Sequence, residues 1–124
     1  MPQVKIYGLK ENLASNRRML SLAIQEALTA SIGTSKEKRF QRFIGFALDE
    51  FIYPGDRGLN YTIIEIIMFT GRTTETKKKL IKNLIEKISA DTNISAHDLE
   101  ITIIEVPSHN WGIRGVTGDE LNLG

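Results

Sequence analysis

The chain has no cysteine and only two histidines, His97 and His109, among its 124 residues. That excludes disulfides, thiolate catalysis and cysteine-ligated metals, and leaves too few histidines for a dedicated zinc site. It also has little excess charge. Sixteen basic and 15 acidic residues give a formal net charge of +1, so bulk charge offers no support for nucleic-acid binding. No apolar run approaches the roughly 20 residues needed to span a bilayer. The start, Met1-Pro2-Gln3-Val4-Lys5, lacks the basic and apolar stretches of a signal peptide. The expectation is a cytoplasmic protein with neither a nucleic-acid nor a membrane partner. What remains is ordinary for a globular chain. It is 41% hydrophobic and 25% charged, with a length suited to one domain, residues 1–124, and a real core.

Hydrophobic periodicity gives the order of elements. Val4 to Tyr7 is a short β-type run closed by Gly8, and residues 9–15 read as a polar connection. Ser15 or Asn16 can cap a helix over about 16–32, in which Leu20, Ala23, Ile24, Ala27 and Leu28 recur at helical spacing before Gly33 stops it. After a polar turn, 34–38, a strand follows. It places Phe40, Arg42, Ile44 and Phe46 on one face and Gln41, Phe43 and Gly45 on the other. A second extended piece is expected at 50–53, before the loop signal Pro54-Gly55-Asp56-Arg57-Gly58.

Residues 61–70 form the clearest strand, apolar on both faces and interrupted by Glu65. Gly71-Arg72-Thr73-Thr74-Glu75 is a strand-to-helix turn in which Thr73 or Thr74 caps and Glu75 suits the positive helix end. Leu80, Ile81, Leu84, Ile85 and Ile88 make the buried stripe. Lys77, Lys78, Lys79 and Lys82 read as its solvated side rather than as a polyanion patch. Ser95 to Asp98 reads as a capped turn, residues 100–106 as a strand ended by Pro107, and the glycine-rich tail fits neither phosphate-loop pattern.

The two halves repeat. Strand, helix, Ser-led turn and strand occur over 4–46 and again over 61–106, with Ser35 and Ser95 in matching places. Strands joined through a crossover helix run parallel. The expected fold is therefore α+β: duplicated β-α-β units forming a four-stranded mixed sheet with two helices on one face. The other face, with Ile63, Ile67, Phe43 and Ile103 assigned to it, is expected to be apolar and covered by self-association.

Pro2 stands out for chemistry. Removal of Met1 ahead of a small residue leaves a secondary amine with a basic lone pair and no rotamers to freeze. With Met1 retained, that nitrogen is an amide.

Pro2 after Met, the duplicated unit, and the run from Phe69 to Leu80 around Gly71-Arg72-Thr73-Thr74 resemble the tautomerase superfamily. Ser95 to Ile101, Glu105-Val106-Pro107, Asn110-Trp111-Gly112 and Arg114-Gly115 are similar to its long-chain members, the malonate semialdehyde decarboxylase-like group. The resemblance implies a homotrimer with no metal or organic cofactor and a small carboxylate substrate. It implies that Pro2 is the general base and acid, that Arg72 binds a substrate carboxylate, and that Trp111 is a pocket wall. Lys38 and Arg39 lie where the family places a polar partner. The decarboxylase pattern has an acid where this chain has Lys38, and a second arginine where it has Thr70. Weight therefore shifts to a tautomerase (an isomerase) on a 2-oxo or enol acid. Decarboxylation or hydration of a three-carbon acid such as malonate semialdehyde, and a non-catalytic trimeric module, are the alternatives.

The chemistry is self-consistent. An α-amine titrates near ~8. Burial and nearby cations from Arg72, Lys38 or Arg39 disfavour its charged form and bring it towards working pH. A guanidinium can grip a carboxylate through two parallel hydrogen bonds.

Overall fold

Alternation along the strands sets the layers. The structure, a computed structural model, describes residues 2–121. Its main elements are β1 (Gln3–Leu9), α1 (Lys10–Ile32), β2 (Gln41–Phe46), β3 (Thr62–Phe69), α2 (Thr74–Asp91) and β4 (Leu99–Val106). They form one four-stranded sheet in the order β2-β1-β3-β4. β1 pairs with β2 in parallel, β3 with β4 in parallel, and β1 with β3 antiparallel. Two β-α-β units thus meet back to back at the β1/β3 seam.

On one face, Val4 and Ile6 of β1 and Ile64, Ile66 and Met68 of β3 pack under both helices. Leu20, Ile24 and Leu28 of α1 and Leu80, Leu84 and Ile88 of α2 complete that core, each at most 1% exposed. The spacing of these residues makes the duplication numerical: residue n of the first unit corresponds to n + 60 of the second (20/80, 24/84, 28/88). Backbone hydrogen bonds repeat it. Lys38 N donates to Ser35 O, and Asp98 N to Ser95 O.

The helix starts differ from expectation. α1 begins at Lys10, directly after β1, with Leu9 at its cap position and no side-chain cap. The polar stretch 10–15 is helical because its asparagines are satisfied inside the fold. Asn12 Nδ2 donates to Thr62 Oγ1 at 3.0 Å, and Asn16 Nδ2 to Asn12 Oδ1 at 2.9 Å. Asn16 Oδ1 accepts from Asn93 N. Glycines allow the tight junction. A Cβ on Gly45 would stand 3.0 Å from Lys10 Cγ, and one on Gly8 would stand 3.1 Å from Asn12 and Leu13. α2 instead follows a turn through Gly71 (φ 127°) and is capped by Thr73, whose Oγ1 accepts from Thr76 N. Lys77 is held by Glu105 at 2.7 Å, while Lys78, Lys79 and Lys82 are exposed, in keeping with a solvated helix face.

Three further expectations are corrected. Phe43 and Ile103 lie on the helix side: Phe43 pairs in register with fully buried Ile6, and Ile103 with Ile66. The outer face keeps Ile63 and Ile67, but Lys5, Glu65 and Tyr7 stand among them, and Tyr7 Oη donates to Glu65 Oε1 at 2.6 Å. That face is mixed rather than apolar. Residues 50–53 form no strand. A 3-10 turn, Leu48–Glu50, leads into Phe51 and Tyr53, which join Phe46 and Tyr61 in an aromatic cluster. Ring packing, not a ladder, uses those side chains. The Ser95 cap is made by backbone alone.

The tail is a small β-hairpin, β5 (Gly112–Ile113) with β6 (Val116–Thr117), flanked by 3-10 turns at Ser108–Asn110 and Gly118–Glu120. Its loop is Arg114 (φ 53°) and Gly115 (φ 83°), the left-handed pair that a two-residue hairpin turn requires. No described helix is long and apolar enough to cross a membrane.

Candidate active site

The β1/β3 seam is what gathers the candidate residues. Pro2 is buried at the start of β1. Val4 N donates to Phe40 O at 2.9 Å, which brings the entrance of β2 alongside. Antiparallel pairing of Gln3 with Ile67 brings the exit of β3 to the same end, and Thr70 N donates to Val106 O, which adds the exit of β4. Pro2, Lys38, Arg39, Arg72 and Trp111 therefore all stand at one end of the sheet, although they come from four separate stretches of chain.

Side-chain positions divide them. A cleft of about 250 Å³ opens there, lined by Gln3, Phe40, Trp111, Gly112, Ile113 and Arg114. Trp111 is fixed edge-on to Phe69, with ring centroids 4.9 Å apart. The hairpin carrying it is pinned by Gly118, whose N–H donates to Trp111 O at 2.6 Å. A Cβ on Gly118 would meet Ser108 O at 2.5 Å and the Phe69 ring at 2.9 Å. Arg72 is exposed in the turn just before the α2 cap, a place where the helix end disfavours a cation. Lys38 is also exposed. Its carbonyl, with that of Ser35, accepts from the buried Gln25 amide, which fixes the approach to β2. Arg39 turns away from the cleft: its Nη1 donates to Ser21 Oγ at 3.2 Å, and it lines a shallow groove with Arg17, Arg18 and Gln41. The expected removal of Met1 concerns a residue outside the described ones.

Sequence reasoning gave no role to Gln3, Phe40 or Arg114. The available signal was the Arg114-Gly115 pair flanked by apolar residues, a hairpin turn that the glycine-rich composition of the tail disguised. Among the described residues no cluster of three or more metal-ligating side chains occurs.

A family model described as "Tautomerase enzyme" matches residues 38–114, more than half of the chain. The chain belongs to the tautomerase family. A 2-hydroxymuconate tautomerase of Pseudomonas putida is 37% identical over 57 residues, which is 46% of this chain and 90% of that protein. One from Comamonas testosteroni is 33% identical over the same length. A relative half as long, matched almost end to end, is what a duplicated β-α-β chain should find. The solved structures agree at full length. Native fused 4-OT superposes with a TM-score of 0.82 over 96% of this chain and 98% of its own, at 22% identity. FG41 malonate semialdehyde decarboxylase gives 0.78 over 89% and 87%, at 23% identity. A fused 4-OT described as a symmetric trimer gives 0.78 over 94% of each chain, at 19% identity. At these identities the solved structures establish the tautomerase fold, with the two-helix, four-stranded mixed sheet expected from the sequence.

Proposed function

We propose that this protein is a cofactor-free tautomerase acting on a small 2-oxo or enol carboxylic acid. The amine of Pro2, freed by removal of Met1, takes a proton from the carbon next to a carbonyl and returns it elsewhere on the same skeleton. Arg72 grips a carboxylate and stabilises the enolate that develops, an effect worth a few kcal/mol. Lys38 adds positive potential that favours the neutral, basic form of the amine, whereas Arg39, turned away from the cleft, is left out of this reading. Trp111 forms a wall of the pocket.

The observation that carries this reading is the β1/β3 seam. Pairing of Gln3 with Ile67 brings the buried start of β1 to the sheet end where β3 leads into the Arg72 turn, and Gln3 lines a cleft with Phe40 and Trp111. Relatives named as tautomerases support the same reaction type.

The working form is proposed to be a homotrimer. Ile63, Ile67 and 37%-exposed Ile104 lie on the sheet face that no helix covers, and a structural neighbour is described as a symmetric trimer. In such an assembly exposed Arg72 and Lys38 of one protomer can face the cleft of the next. Decarboxylation is the less favoured reading, because Lys38 stands where that chemistry would want an acid.

The deciding experiment is ketonisation of phenylenolpyruvate by protein shown by intact mass to begin at Pro2. Wild type is expected to turn over and Pro2→Ala to lose about 10²–10⁴ in rate. Equal rates in the two would reject the reading.

A further inference from the structure

Between α1 and the edge strand β2 runs a groove of about 560 Å³, a size that suits a small ligand. It shares no lining residue with the cleft beside Pro2. Arg17, Arg18 and Arg39 line it, and no carboxylate does. Helical spacing sets Arg17 and Arg18 one turn before Ser21, on the same side of α1. Arg39 reaches them from the chain entering β2, where its Nη1 donates to Ser21 Oγ at 3.2 Å. Ser21 is itself tied to β2: its hydroxyl donates to Gln41 Oε1, and Gln41 Nε2 donates to Ser21 O at 3.1 Å. Three guanidiniums thus gather around one anchored hydroxyl. Among the described residues none of the three has an acidic partner. The groove between α1 and α2 is neutralised instead, with Lys87 held by Glu26 at 2.9 Å and by Asp91 at 3.1 Å. Like charges gathered without a counter-charge repel one another, and an anion relieves them.

We propose that the α1/β2 groove is a second binding site, for a small organic diphosphate. Its phosphates bridge Arg17, Arg18 and Arg39, and its apolar part lies on Leu22 and Phe43. The planar fork of arginine matches phosphate oxygens in pairs. Charge sets the class: a single phosphate ester brings about −1.5 to −2, and a diphosphate monoester carries a further ionised oxygen, which suits three guanidiniums. A chain with a net charge of +1 and a patch confined to three arginines is a poor fit to a nucleic-acid strand. The site is independent of the chemistry proposed at Pro2.

The test is calorimetric titration at low salt, without divalent cations, using ADP as the probe diphosphate. Wild type should bind ADP saturably and more weakly as salt rises. Sulfate and adenosine should each bind at least about tenfold more weakly than ADP. Arg17→Gln and Arg18→Gln lie at exposed helix positions where Gln keeps the helix, and Arg39→Gln removes the third guanidinium. Each should weaken ADP about tenfold, the loss expected for one charged hydrogen bond. Arg72→Gln, outside the groove, should leave ADP within about twofold. No binding by wild type, unchanged affinity in the three groove variants, or loss in Arg72→Gln alone would overturn the proposal. Sulfate bound as well as ADP would mean an adventitious ion only, and would overturn it too. A single-stranded DNA oligonucleotide bound more tightly than ADP would overturn it in favour of a nucleic-acid surface.

Discussion

The two ends of the sheet are built from the same plan and have diverged. The 60-residue offset sets Thr62 opposite Pro2, Asn12 opposite Arg72 and Phe51 opposite Trp111. The 3-10 turn Leu48–Glu50 likewise answers Ser108–Asn110. At the Thr62 end every corresponding polar group is engaged. Thr62 is fully buried, accepts from Asn12 and donates to Asn60 O at 2.9 Å, and Asn16 closes the chain of hydrogen bonds. Phe51 is stacked into an aromatic cluster. A larger cleft, about 530 Å³, does open there, but its charged lining residues are adjacent Lys10 and Glu11, of opposite sign. At the Pro2 end the corresponding positions are an imino acid, an exposed arginine and a ring that walls a cleft. Duplication supplied two equal frames. One end uses its polar residues to join helix to sheet; the other leaves Arg72 exposed to solvent.

The strongest way to break this contrast is to mutate the paired positions. Pro2→Ala should lower kcat/KM for phenylenolpyruvate by about 10²–10⁴, the range for loss of a general acid–base group. Thr62→Ala should leave the rate within about twofold while costing about 1–3 kcal/mol in denaturant unfolding, because it strands the buried Asn12 amide. A second pair sharpens the same point. Arg72→Ala should raise KM by roughly 10-fold or more, since a charged hydrogen bond is worth about 1.5–3 kcal/mol, with little change in Tm. Asn12→Ala should do the reverse. Core substitutions treat both units alike: Ile24→Ala and Leu84→Ala should each cost about 2–5 kcal/mol.

The smallest effect concerns the outer face. Accepting by Glu65 and burial raise the Tyr7 phenol above its usual range. A raised folded value means its contribution is present in full below the unfolded value of about 10 and fades as pH climbs through the folded one. Wild-type stability should therefore fall more steeply above pH ~10 than that of Tyr7→Phe.

The fold was legible because its signals are periodic. Leu20/Leu80, Ile24/Leu84 and Leu28/Ile88 advertise two helices on one core, and the β-branched, aromatic run 61–70 advertises a strand. What misled were residues whose polarity is satisfied out of sight. Asn12 and Asn16 look like loop residues until their partners on β3 and beyond α2 are seen, and Phe43 could be set on either face until register fixed it. The candidate site was legible in its residues, Pro2, Arg72 and Trp111, which the fold brings to one end of the sheet. It was not legible in arrangement, because Gln3, Phe40 and Arg114 meet only once three chain segments reach the same sheet end. Arg114 carried a turn signal that its charge concealed.

The central claim is that the nitrogen of Pro2 is a free, basic amine at this cleft. The direct measurement is limited labelling at pH 7 with an amine-reactive electrophile, followed by peptide mass analysis and residual ketonisation. The account requires one adduct on the peptide beginning at Pro2, loss of activity in proportion, and protection by 3-phenylpropanoate. An N-terminal peptide still carrying Met1, or full activity after that peptide is labelled, would contradict it.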